Sequence, residues 1–315
     1  MQIAIFGAGA VGGYFGGRLA QAGHTVVFVA RGEHLQALQR RGLQVQSIEG
    51  DFVIDPVQAT DDPATVGVVD AIIVAVKTWQ LPEAAEAMRP MVGAETFVVP
   101  LENGVEAPAH LAAVLGEEHV LGGLCRIIST LADPGHVHHS GISPTITFGE
   151  LDGRRTERVE RLRDAFKDAE GLTPEIAPDI HVAIWRKFLF IAALSGVGAV
   201  TRVPVGVLRD VPETRQMLIE AMEEIVCLAR ARDVALPGEA VDETLCFIDD
   251  LPAGGTASMQ RDILAGQPSE LESQNGAVVR LARGTGVSVP LNAFIYGSLL
   301  PQELRARGRL DLELP

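Results

Sequence analysis

The sequence predicts an α/β fold class, with a doubly wound parallel sheet in an N-terminal domain and an all-α C-terminal domain. Three observations predict it. A short apolar strand runs straight into a glycine-rich turn near the N-terminus. The first half alternates apolar strands with helical segments, and everything after residue 178 is helical in texture. Such alternation builds a parallel sheet, because parallel neighbours need a crossover helix between them.

The first strand, Ile3, Ala4, Ile5 and Phe6, opens on Gly7-x-Gly9-x-x-Gly12, with Gly16 one helical turn later. Gly7 permits the tight strand-to-helix turn, and Gly9 has no side chain to obstruct a pyrophosphate. Gly12 and Gly16 let the helix pack closely on the sheet. The turn (Gly7, Ala8, Gly9, Ala10, Val11, Gly12) would offer backbone N–H groups at a helix N-terminus, where negative charge is favoured. An ordinary glycine-rich turn is the competing reading. The preceding strand, the helix running to Ala22 and the next strand, Thr25 to Val29, favour a Rossmann dinucleotide site.

The later elements continue the rhythm. A helical segment spans His34 to Arg41, a hairpin Leu43 to Gln58, and a buried strand Asp70 to Val76. Then come a helix from Leu81 to Met91, a strand from Thr96 to Leu101 and a helix from Ala107 to Leu115. Strands broken at Asp133-Pro134-Gly135 and at Gly141 point to an antiparallel extension between Val120 and Glu150, before a charged helix from Thr156 to Glu170. The stretch 171–178, GLTPEIAP, reads as a linker and divides the chain into domains 1–176 and 177–315. Helices follow at Asp179–Ala193, Pro212–Arg232, Gly238–Asp249, Ala257–Ala265, Leu271–Arg283 and Asn292–Arg307. The default ligand site is the cleft between the domains, at the carboxyl ends of the strands.

At 315 residues and 47% hydrophobic, the chain can build two ordinary cores. A formal charge of −15 argues against nucleic acid, which needs clustered lysine and arginine. A fingerprint starting at residue 7 leaves no room upstream for a signal peptide, so a cytoplasmic protein is expected. The apolar run Phe188 to Val200 reads as too short to span a bilayer, and no membrane partner is expected. Cys125, Cys227 and Cys246 are scattered and suit a reducing compartment as small buried hydrophobes.

The second strand ends Phe28-Val29-Ala30-Arg31-Gly32. A carboxylate there would bond a ribose 2′-hydroxyl, whereas an arginine fork suits a 2′-phosphate. With Arg31 present, NADP(H) is the expected cofactor; a plain surface arginine is the alternative, and Glu33 offsets the local charge.

Several polar residues stand in unusual surroundings. Lys77 closes an apolar strand in AVKTWQ, and Asn103 follows the next in LENG. Asn-Gly is also a common turn dipeptide. Lys187 lies in IWRKFLFIAAL, a helix apolar on nearly every face. Burying an ammonium without a partner is costly and makes it a readier proton donor. A snorkelling or ion-paired lysine is the competing reading, with Arg186 as the structural charge. Ser269 and Glu272 have capping-box spacing, which puts Glu270 in the first turn of a helix, where it would also complement the macrodipole. Ser258, in TASMQRD, has the plain reading of a helix cap. His136, His138 and His139 follow Pro-Gly in a hairpin with no carboxylate or cysteine to complete a ligand set, so no metal is expected.

Together, the GxGxxG, VKTWQ, ENG, the WRK helix and SMQRDILAGQPSE followed by NG resemble the ketopantoate reductase (2-dehydropantoate 2-reductase) family essentially end to end. The last block is the most specific, through the spacing of Ser258 and Glu270. The resemblance implies NADPH-dependent reduction of a 2-oxo acid to a 2-hydroxy acid, with 2-dehydropantoate as the family substrate and pantothenate biosynthesis as its pathway. It implies Lys187 as proton donor to the keto oxygen, with Glu270 supporting that lysine and contacting the cofactor. Ser258 would hold the substrate carboxylate, and Lys77 and Asn103 would serve cofactor and substrate. Ile128 falls where a backbone group meets the nicotinamide end. Glu270 beside Lys187 would keep the amine charged. By analogy with related two-domain reductases a homodimer is expected, although the sequence marks no interface.

The chain departs from the family where asparagines usually bond the substrate: Ile191, Ser195 and Val205 stand there instead. Residues 187, 191 and 195 share a helix face, so the wall beside Lys187 is more apolar than usual. A missing polar partner costs about 1–3 kcal/mol, which shifts the expected preference toward 2-oxo acids with apolar side chains. Two rival readings follow: a D-2-hydroxy acid dehydrogenase working on such acids, and a non-catalytic NADP-binding regulator. Retention of Lys187, Ser258 and Glu270 speaks against the regulator.

Overall fold

The computed structural model describes residues 1–310 as two compact units, Met1–Glu102 with Ala107–Ala183, and Asn103–Glu106 with the chain from Ile184 onward. The first unit holds β1 (Gln2–Phe6), α1 (Ala10–Gln21), β2 (Thr25–Val29), α2 (Gly32–Arg41), β3 (Leu43–Ser47), β4 (Phe52–Ile54), β5 (Gln58–Thr60) and β6 (Ala71–Val74). It continues through α3 (Leu81–Met88), β7 (Phe97–Pro100), α4 (Ala107–Leu115), β8 (Leu121–Asp133), β9 (His136–Glu150), α5 (Glu157–Lys167) and β10 (Thr173–Ile176).

Five strands form a parallel sheet in the order β5-β2-β1-β6-β7, with β1 paired to β2 from Gln2↔Thr25 and to β6 from Ile3↔Ala71. Both faces are covered, so the strands are continuous apolar runs rather than alternating ones. Period-two geometry sorts them onto two cores. Ile3, Ile5, Phe28, Ile73 and Val99 pack with Phe15 and Leu19 of α1 and Phe166 of α5. Ala4, Phe6, Val29, Ile72 and Val74 pack with Leu81 and Met88 of α3 and Leu111 of α4.

A second sheet is built on the long β9. Its antiparallel partner is β8, joined through the turn at Asp133-Pro134-Gly135 with Gly135 at φ 81°. On the other edge of β9, β3 pairs in parallel over His136–His139 and β10 over Thr145–Phe148. Two expectations are corrected here. The hairpin ends at Ile54, because β5 leaves it to pair with β2. The stretch 171–178 is not a linker, since it contains β10. Pro174 is tolerated because β10 is an edge strand, where one missing N–H is affordable.

The helical unit comprises most of α6 (Ile180–Thr201), then α7 (Val205–Asp210), α8 (Pro212–Ala231), α9 (Ala240–Asp250), α10 (Ser258–Leu264), α11 (Asn275–Ala282) and α12 (Pro290–Ala306). Its interior contains a polar thread. The Asn275 amide donates to the Ala192 carbonyl and to Asn292, whose own amide donates to the Ala221 carbonyl and Glu224. Glu224 accepts from the backbone N–H groups of Leu291 (2.7 Å) and Asn292 (2.9 Å), capping α12 from a different helix.

α6 also corrects an expectation. At 22 residues it is long and apolar enough to cross a bilayer by length and composition; 67% of its most apolar window is buried inside the protein. The cysteines divide as well: Cys125 is buried, whereas Cys227 and Cys246 are exposed.

Candidate active site

Gly7 takes φ 98° at the end of β1, and a Cβ there would lie 2.8 Å from the Ala75 backbone. The N–H groups of Gly7 and Ala8 both donate to the Val29 carbonyl, which fixes the turn to the end of β2. A Cβ on Gly12 would sit 2.1 Å from the Gly7 carbonyl oxygen, so only glycine lets α1 approach this closely. Gly9 is different: a Cβ there meets nothing within 4 Å. It is the N-cap of α1 and brings no capping side chain to the first-turn amides. Open space beside a glycine at an uncapped helix N-terminus fits a pyrophosphate.

Arg31 is the N-cap of α2, just beyond β2, and no carboxylate precedes it at the strand end. Its side chain is 61% exposed and pairs with Glu83 at 2.9 Å. Lys77 is exposed beyond β6, with its ammonium 5.8 Å from the centre of the Trp79 ring. Ile128 is 47% exposed on β8, next to a register shift between Arg126 and Ile128. His139 is buried and spends both ring nitrogens on protein partners, the Ser47 hydroxyl and the Ile142 carbonyl.

The helical unit brings two of the expected residues together. The Asn103 amide donates to the Glu270 carboxylate at 2.8 Å. Asn103 is therefore more than a turn former, and the segment 103–106 belongs with the helices rather than with the sheet it follows. Glu106 repeats the contact one step on, accepting from Arg280 Nη2 at 2.5 Å. That hydrogen bond raises the Arg280 pKa above its ordinary value, against the opposing effect of burial.

Glu270 is only 5% exposed, and the residue before it, Ser269, is held by a buried clamp. Ser269 donates to Glu303 through its N–H (3.0 Å) and its hydroxyl (2.5 Å). Arg307 bonds Glu303 at 2.5 Å and the Ser269 carbonyl at 2.9 Å. The expected capping box is not formed. The Ser269 hydroxyl accepts from Leu271 N–H, Glu272 accepts from the Tyr296 hydroxyl, and the helix starts only at Asn275. Glu270 therefore lies in the preceding turn, not in a helical first turn. The Tyr296 phenol is pushed up to about 12 by burial and by its bond to Glu272.

Lys187 is half-buried on α6 and makes no hydrogen bond or ion pair among the described residues. The expected pairing with Glu270 is not formed; Asn103 holds that carboxylate instead. Arg186 pairs with Glu243 and is the structural charge of the two. Ser258 is the first residue of α10 behind the N-cap Ala257, and its half-buried hydroxyl bonds nothing among the described residues, so it is not a helix cap. Ile191 is half-buried, while Ser195 and Val205 are fully or almost fully buried. The Ser195 hydroxyl has no partner among the described residues.

Sequence reading missed the Ser269–Glu303–Arg307 clamp. Glu303 and Arg307 are spaced i, i+4, a spacing common to exposed helical pairs. No local signal connects them to Ser269.

Comparison with known proteins covers nearly the whole chain. Residues 3–153 match the family model of ketopantoate reductase PanE/ApbA, and residues 179–303 match its C-terminal counterpart. An uncharacterized oxidoreductase of Bacillus subtilis, YkpB, is 31% identical over 95% of this chain and 98% of its own. A 2-dehydropantoate 2-reductase of Halobacterium salinarum is 31% identical over 92% and 95%. The crystal structure of a PanE/ApbA family ketopantoate reductase from Ralstonia eutropha superposes with a TM-score of 0.89 at 31% identity, covering 98% of this chain and 100% of that one.

Proposed function

The chain belongs to the ketopantoate reductase family of dinucleotide-binding oxidoreductases, and on that premise we propose that it reduces a 2-oxo acid to the 2-hydroxy acid with NADPH. The observation that carries this reading is Lys187: a half-buried ammonium on an apolar helix, with no partner among the described residues. A structural lysine in such a place is ordinarily paired. One left without a partner is available to a substrate oxygen.

When bound, the dinucleotide would supply the hydride that reduces C2 of the substrate. As the carbonyl bond opens, its electron pair takes a proton from Lys187 Nζ, and the amine is recharged from solvent. The same ammonium stabilises the developing alkoxide. Ser258, its hydroxyl uncommitted, binds the substrate carboxylate. Glu270 and Asn103, already bonded to each other, act as a preset pair that serves the cofactor and the substrate. Gly9 and the first-turn amides of α1 would hold the pyrophosphate, Lys77 would contact the cofactor, and Arg31 would take the 2′-phosphate. A reducing, cytoplasmic setting suits this chemistry and the two exposed thiols.

The leading substrate is 2-dehydropantoate. A second reading, a 2-oxo acid with an apolar side chain, is favoured by Ile191, half-buried one helical turn from Lys187 where the family presents an asparagine. Product analysis after incubation with NADPH and each acid tests both. Pantoate formed at the higher kcat/KM supports the first, and preference for apolar acids supports the second. No hydroxy acid from either class contradicts the proposal.

A further inference from the structure

His34, in the first turn of α2, is joined through both ring nitrogens to backbone on either side. Nε2 lies 2.7 Å from the Ala8 carbonyl oxygen, inside the glycine-rich turn, and Gly135 N–H donates to Nδ1 at 3.0 Å. A backbone amide only donates, so Nδ1 is an acceptor, and the proton of the neutral ring sits on Nε2 and points to Ala8. The far anchor is itself fixed: the Gly135 carbonyl accepts from Gln44 N–H at 2.9 Å. Ala8 is thus held on both sides, its N–H by Val29 and its carbonyl by His34.

We propose that His34 is a positioning residue for the dinucleotide-binding turn, its neutral ring fixing Ala8 and, through it, the amides of Gly9 to Gly12 that a pyrophosphate would meet. This rests on the reading of that turn as the cofactor site. Neither bond needs a charge, and only the neutral ring can make both at once. Protonation sets a ring N–H against the N–H of Gly135.

Burial lowers the ring below the ordinary imidazole value, with the Ala8 carbonyl opposing in part. The ring is therefore neutral near pH 7, and the bridge is lost on acidification below the imidazole range. The charged and titratable side chains on the elements that meet it are Arg31, Glu33, Arg40 and Arg41 on its own helix, Arg41 donating to the Pro134 carbonyl at 3.1 Å, and Asp133 and His136 flanking the hairpin turn. Arg31 is committed to Glu83, and residues 7–10 carry no charge.

Calorimetric titration of the full-length protein with NADPH, at pH about 7.5 and about 5.5, tests the proposal. A glutamine amide reaches Ala8 much as Nε2 does but does not titrate. His34→Gln is expected to bind within about two-fold of wild type at the higher pH and to outbind it increasingly at the lower. His34→Ala is expected to bind about ten-fold more weakly at the higher pH. The 2′-phosphate titrates equally in every titration, so the ratio between proteins reads the ring alone. A constant ratio of wild type to His34→Gln across the range overturns the proposal, and that ratio remains decisive if His34→Ala fails to fold. Wild-type affinity in a folded His34→Ala also overturns it. No binding of NADPH or NADH by the wild type overturns the reading of the turn, and this proposal with it.

Discussion

At Arg31 the guanidinium already has a partner in Glu83. Its bond to Glu83 is a surface pair, both side chains being well exposed, and such pairs contribute about 0–1 kcal/mol. A phosphate engaged by an arginine fork binds more strongly than that, so on the proposed reading a 2′-phosphate would displace Glu83 rather than be excluded by it. Arg31→Ala is expected to weaken NADPH binding about ten-fold while leaving NADH nearly unchanged, and Glu83→Gln to strengthen NADPH binding about two-fold. Calorimetric dissociation constants for both dinucleotides check this; equal losses for the two in Arg31→Ala would make Arg31 a surface residue. Lys187 stood out in the sequence as a charge on an otherwise apolar helix, whereas Ser258 and Glu270 each had an ordinary reading at a helix start and stood out only through the family resemblance. Their partners were not legible. Asn103 finds Glu270 across 167 positions, and Glu303 finds Ser269 across 34, distances at which local spacing carries no information.

The turn between β1 and α1 shows how an element separates two uses of the same residue type. Gly12 serves the fold, because any Cβ there collides with the Gly7 carbonyl oxygen at 2.1 Å. Gly9 has open space around it and serves no packing purpose. Gly12→Ala is therefore expected to lower the melting temperature sharply or prevent soluble expression. Gly9→Ala is expected to melt like the wild type yet bind NADPH about ten-fold more weakly. Thermal melts beside calorimetry distinguish them, and unchanged affinity in Gly9→Ala would remove the turn from the cofactor site. Most strands and helices were legible from apolar runs and their punctuation, including the Pro-Gly turn of β8–β9. The failures share a cause. β10 is an edge strand that tolerates the proline by which 171–178 was read as a linker, and Ser269 is bonded by Glu303 rather than forming the expected capping box with Glu272. In each, a tertiary partner decided what local composition could not.

Over the whole chain, the βα alternation and the helical second half announced the architecture, because both depend on periodicity alone. The division into units did not follow the composition shift, for residues 103–106 belong with the helices and the boundary falls within α6. That exchange gives Glu270 its neighbour Asn103. On the proposed reading, this family scaffold transfers a hydride to C2 of a 2-oxo acid with Lys187 as the proton donor. The most direct measurement uses NADPH deuterated at the transferable position of its nicotinamide, with mass analysis of the hydroxy acid made by wild type and by Lys187→Met. Deuterium is expected at C2 of the wild-type product. In Lys187→Met, turnover should fall by about 10²–10⁴ while NADPH affinity is kept. Unlabelled hydroxy acid, or a Lys187→Met enzyme as fast as the wild type, would contradict it.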